Sequence, residues 1–316
     1  MAKGGKKGSL KAALASQQTR LKKKKEVEHA AQHEERIKAV VQAKAKEKGK
    51  AAPLRPTIPF TATDNILLIG EGNFSFARAL ALHPPPELEF LPASNIIATA
   101  YDSEEECYAK YPEAKEIVAA LREKGVIVLF RVDATKLEKV SALKERTFDR
   151  IVWNFPHAGK GIADQDRNIL SNQLLLLGFL RSAAPFLTKG PIPVVNKSRK
   201  RKRDPDDDGP EEDEAEDTAD TDRRNRGTIL ITLRNVAPYT LWDVPKLAKN
   251  PPLPTTTGEE PNPRYKQLRS FVFHRAAWKD YEHRMTKGER AHGTGKTGEG
   301  GEDRTWEFCI APIRKQ

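Results

Sequence analysis

Short apolar runs recur along this chain, with helix-length segments between most of them, and several end in residues suited to holding a ligand. The first run, NILLI at 65–69, leads into Gly70-Glu71-Gly72-Asn73-Phe74-Ser75 and then a helical stretch at 75–82 that stops at three prolines. NIIATAY at 95–101 follows and ends in Asp102, and a helical pattern at 104–124 closes on Gly125. VIVLFRV at 126–132 ends in Asp133, and FDRIVWN at 148–154 opens the tetrad Asn154-Phe155-Pro156-His157. An apolar-faced helix is expected at 165–187, a fifth strand at 228–233 (TILITL), and a closing antiparallel pair at 267–273 and 305–311. Runs this short and continuous read as strands buried on both faces. Their alternation with helices specifies the α/β class: a mostly parallel seven-stranded sheet with helices on both faces and a terminal antiparallel pair.

In such a sheet ligands bind beyond the carboxyl ends of the strands, where the polar strand endings lie. Gly70 and Gly72, having no Cβ, allow a sharp turn and close approach to a ligand. Asp102, placed 30 residues after Gly72, can accept hydrogen bonds from both hydroxyls of a ribose. Asp133 is placed to accept from an adenine amino group, or else to cap the turn near Lys136. Each signal alone is weak; their order along successive strands carries the weight.

Charge divides the rest of the chain. Of the formal net charge of +11, residues 1–56 supply 16 Lys+Arg against 5 Asp+Glu. A second segment, 197–226, opens with KSRKRKR and continues into an acidic run at 204–222. Neither has the apolar content to offset its ordering entropy, so both are expected to be disordered. The expected map is therefore a basic tail at 1–56, one domain built from 57–196 and 227–316, and a charged insertion at 197–226. The basic runs are expected to bind import receptors and polyphosphate. Cys107 and Cys309 provide neither a disulfide framework nor metal-ligand spacing. The longest apolar run, 174–180, is too short to cross a bilayer, and the opening residues have no apolar signal core. A soluble intracellular protein, without membrane or metal and monomeric, is expected. The stretch 292–297 (HGTGKT) imitates a phosphate loop but has Arg290 where the first glycine belongs.

The segments ILLIGEGNFSFARAL, FDRIVWNFPHAG, NILSNQLLLLGFLRSAAPFL and ITLRNVAPYTLWDVPKLA together resemble the eukaryotic large-subunit (25S) rRNA (uridine-N(3))-methyltransferase family. The likeness covers 62–316 apart from the charged insertion. It implies a Rossmann-like methyltransferase, S-adenosyl-L-methionine as donor, a uridine of large-subunit rRNA or the pre-ribosome as target, and a nuclear, nucleolar setting. By that resemblance Gly70, Glu71, Gly72, Asn73, Phe74 and Ser75 form the cofactor turn and Asp102 its ribose-binding acid. Asn154, Pro156 and His157 fall at the acceptor pocket. Uridine presents an N–H between two carbonyls, and the Asn154 amide offers both an acceptor and a donor. His157 takes the imide proton, donates to a uracil carbonyl, or is only a loop residue. The base must leave its stack, with Phe155 and Trp242 as candidates to receive it; Trp153 reads as core. Two other functions stay open on sequence: a nicotinamide-dependent oxidoreductase using the Gly70-x-Gly72 turn, and a non-catalytic ribosome-assembly module.

Overall fold

The strand β1 (Ile66–Ile69) is wholly buried, and its side chains alternate between two separate cores. Ile66 and Leu68 face a layer made by α1 (Ser75–Ala81) and α3 (Ala114–Lys124). Leu67 and Ile69 face the other side, against α4 (Gln165–Ala183). Covering both faces is what makes the run continuous rather than alternating. The structure is a computed structural model that describes residues 56–194, 225–253, 261–286 and 301–312. The basic tail at 1–56, except Pro56, and the insertion at 197–226, except its last two residues, lie outside the described residues, as does the loop at 292–297.

Seven strands form one sheet in the order β3-β2-β1-β4-β5-β7-β6. Here β2 is Ile96–Thr99, β3 Ile127–Leu129, β4 Arg150–Asn154, β5 Thr228–Arg234, β6 Tyr265–Val272 and β7 Asp303–Ile310. The first five pair in parallel, and β7 runs antiparallel to both β5 and β6. The expected fold class is therefore the observed one. The strand order reverses between β1 and β4, so the loops leaving these two strands diverge and open a crevice at their carboxyl ends.

The long helix expected at 104–124 is two helices. Ser103 starts α2 (Glu104–Lys110) with a reciprocal cap: its hydroxyl accepts from the Glu106 amide while Glu106 Oε2 accepts from the Ser103 amide. Pro112 lacks an amide proton and forces its predecessor out of the helical region; Tyr111 accordingly sits at φ −135° and ψ 84° before α3 begins. A further short helix, α5 (Val244–Lys249), carries Pro245 in its first turn and packs Val244 and Ala248 into the second core.

The two ends of the chain around residues 195–224 are neighbours. The Gly227 amide donates to Thr188 O at 2.8 Å and the Arg226 amide to Pro191 O at 2.8 Å. Gly227 runs so close to the backbone of Phe148 and Thr188 that no Cβ could be placed there. On the far side of the sheet, buried Glu307 accepts from Thr228 Oγ1 at 3.0 Å and Arg269 Nε at 2.6 Å, tying β5, β7 and β6 together.

Candidate active site

A cleft of about 110 Å³ opens at the carboxyl ends of β1, β2 and β4. The floor is the turn after β1. Gly70 takes φ +65°, and a Cβ there would lie 2.7 Å from Trp153 Nε1, so the glycine is required by the protein's own packing. A Cβ at Gly72 would make only ordinary contacts with Tyr111 and Arg284. The Glu71 carboxylate turns inward and accepts from the Ala77 amide at 3.1 Å at the start of α1. Burial pushes this carboxyl up to about 7, against the opposing pull of the Ala77 and Phe76 amides. Asn73 accepts from the Ser75 amide and donates to Glu113, which also pairs with Arg284.

The sequence-derived candidates do not all meet in this cleft. Gly70, Glu71, Gly72, Asn73, Ser75, Asp102, Asn154 and Phe155 line it. Phe74 is fully buried, with φ +61° and its ring edge-on to Phe130, so its side chain belongs to the core. Asp102 keeps its place at the end of β2, where Lys110 Nζ donates to its carboxylate at 2.6 Å. Asp133, which is not among the residues lining the cleft, adopts the capping alternative, accepting from the Thr135 amide at 2.9 Å and hydroxyl at 2.7 Å. Trp242 is a correction. Only 1 % exposed, it packs against Tyr239 and cannot receive a base without leaving the core.

At the end of β4, Phe155 holds φ +55°, a conformation uncommon for a side chain of this size. Both polar atoms of the Asn154 amide are shut off from solvent and have no hydrogen-bond partner. Buried polar groups are seldom left so, because each costs about 1–3 kcal/mol unpaired. Pro156 is buried. His157 is exposed and outside the cleft; its Nδ1 accepts from the Gly159 amide at 2.9 Å and its ring lies beside Trp242.

The histidine that does line the cleft is His283, which sequence reading passed over. It sits on the connection between β6 and β7, where no spacing rule links it to the turn after β1 or to the tetrad. Residues 280–286 cross the site and are fastened at four points. Ser75 Oγ donates to Glu282 O at 2.8 Å and accepts from its amide at 3.1 Å. Tyr111 donates to Met285 O at 2.6 Å, Arg78 to Asp280 O at 2.6 Å, and Arg284 pairs with Glu113 at 2.9 Å. The His283 ring lies 4.2 Å from that of Phe155. Burial, then the charges of Arg275 and Arg234, push its imidazole down to about 4, so it is neutral at physiological pH.

A sequence profile of the rRNA (uridine-N3-)-methyltransferase BMT5-like family matches residues 67–285, from β1 to the far end of this crossing segment. The chain belongs to this family. A relative in Saccharomyces cerevisiae, a 25S rRNA (uridine(2634)-N(3))-methyltransferase, is 28% identical over 256 residues, which cover 74% of this chain and 69% of the relative. Human ferredoxin-fold anticodon-binding domain-containing protein 1 is 40% identical over 129 residues, covering 40% of this chain but 19% of its own length. Among solved structures, the 16S rRNA methyltransferase KamB aligns with 78% of this chain and 87% of its own, at 14% identity and a TM-score of 0.33. Methyl transfer to uridine N3 of rRNA is the activity of the BMT5-like family to which the chain belongs, and the oxidoreductase alternative falls with that membership.

Proposed function

We propose that this family member transfers the methyl group of S-adenosyl-L-methionine to ring nitrogen 3 of a uridine in large-subunit rRNA, during ribosome assembly in the nucleus and nucleolus. The observation that carries this reading is the Asn154 amide, buried at the cleft with no partner for either polar atom. A uracil edge, with its N–H between two carbonyls, satisfies both kinds of atom. The residues fit the donor as well. The turn 70–75 presents backbone at the crevice between β1 and β4, and Asp102 at the end of β2 offers a carboxylate to ribose hydroxyls. When bound, the donor supplies a methyl already activated on a sulfonium.

What remains for the chain is positioning and control of the imide proton. Asn154 reads the uracil edge, while Phe155 lines the wall beside it. The basic runs at 1–56 and 197–203 serve as RNA-tethering and import segments outside the catalytic domain, and the chain acts as a monomer. Calorimetry followed by transfer to in vitro transcribed large-subunit rRNA tests this reading. S-adenosyl-L-methionine should bind where nicotinamide dinucleotides do not, and digestion of the RNA should yield 3-methyluridine. Absence of cofactor binding by the folded chain would overturn it.

A further inference from the structure

We infer that His283 forms the second polar wall of the acceptor pocket and donates a hydrogen bond to a carbonyl oxygen of the target uracil, opposite Asn154. The inference rests on the function proposed above and assigns a substrate-binding role to a residue outside the Asn154-Phe155-Pro156-His157 tetrad. Three observations carry it. His283 and Asn154 line the same cleft, together with Phe155, whose ring is 4.2 Å from the imidazole. The Glu282 backbone is hydrogen-bonded through both its carbonyl and its amide to Ser75, and the Arg284 side chain pairs with Glu113 at the start of α3. A segment held in this way meets a ligand with little further backbone ordering cost. Finally, the charges facing the ring are positive. Arg275, paired with Asp303 and lying over the Phe155 ring at 5.1 Å, and Arg234 both act on His283. Glu71 and Asp102 line the cleft nearer the turn, and Glu282 and Arg284 flank the histidine in sequence.

The chemistry explains why a donor is wanted there. Before transfer the N3–H bond breaks and its proton passes to water. The N3 lone pair then forms the bond to the methyl, while the electron pair of the breaking C–S bond stays on the donor's sulfur. The negative charge of the ionised imide resides largely on its two carbonyl oxygens, so donors aimed at them stabilise the reactive form. A neutral imidazole always has one N–H to give. Burial first, and then Arg275 and Arg234, keep His283 unprotonated, and the two guanidinium charges also favour an anionic base.

The test uses full-length protein, His283→Ala and His283→Gln, with transcribed large-subunit rRNA made with uridine or with 5-fluorouridine, whose imide is more acidic. Formation of the methylated nucleoside is followed across pH. His283→Ala should bind S-adenosyl-L-methionine normally by calorimetry and lose about tenfold or more in kcat at neutral pH. That loss should shrink as pH rises and be smaller on the 5-fluorouridine RNA, because each supplies the ionised imide by other means. His283→Gln, which keeps a donor, should recover part of the rate. A loss equal at every pH and on both RNAs, or no loss in either variant, would overturn the inference. Failure of the wild-type chain to methylate either RNA would instead overturn the proposed function.

Discussion

Gly70→Ala offers a direct probe of how the turn after β1 is built. Two costs add at this position. The residue must hold φ +65°, which is strained for alanine, and the new Cβ would lie 2.7 Å from Trp153 Nε1. Left-handed backbone at a non-glycine residue costs about 1–3 kcal/mol, and overpacking of a close-packed core costs about 1–3 kcal/mol more. The expected destabilisation is therefore about 2–6 kcal/mol, or roughly 4–24 °C in melting temperature for a domain of this size. Trp153 is itself buried, edge-on to Phe179, so it cannot swing away without disturbing the second core. Gly72→Ala is the matched control: its Cβ would make ordinary contacts, 3.5 Å from Tyr111, and stability should change by less than about 1 kcal/mol. Urea denaturation of both variants reads the difference. In the Trp153→Phe background, which removes the indole nitrogen, the cost of Gly70→Ala should fall, and a double-mutant cycle gives the coupling. Equal midpoints for wild type and Gly70→Ala, or purely additive effects with Trp153→Phe, would refute the reasoning.

Three other outcomes are expected. Glu71 has its carboxyl raised to about 7, so the folded protein holds a proton that the unfolded chain releases above about 4.5; stability should fall as pH rises from about 4.5 to 7, by at most about 3 kcal/mol, and Glu71→Gln should flatten that slope in pH-dependent urea titrations. Because residues 188–191 and 226–227 are hydrogen-bonded neighbours, replacing 195–224 by a short Gly/Ser link should leave melting temperature and cofactor affinity unchanged; a large drop would show that the segment belongs to the domain. Removing residues 1–55 as well should weaken RNA binding and flatten its salt dependence while sparing cofactor affinity, measured by titration at several salt concentrations.

The fold was legible because both faces of β1, β2, β4 and β5 are covered, which leaves continuous apolar runs that periodicity recovers. The break between α2 and α3 was written in Pro112, outweighed by the helical pattern on either side. At Asp133 a carboxylate followed two residues later by threonine caps its own turn, one of the two roles the sequence leaves open. Trp242 shows that an aromatic residue in a motif carries no sign of which way it faces. His157 and His283 make the same point for the site. The contiguous tetrad drew the eye to His157, whereas the cleft histidine arrives on a segment whose position depends on hydrogen bonds to Ser75 and Tyr111, separated from it by some two hundred residues in sequence.

The central claim is the identity of the modified atom. Nucleoside mass spectrometry of large-subunit rRNA, from cells with the protein and cells from which it has been removed, measures it directly. One 3-methyluridine per affected RNA should disappear on removal and return with the wild-type chain but not with Asn154→Ala. Unchanged 3-methyluridine, or loss of a different methylated nucleoside, would contradict the account.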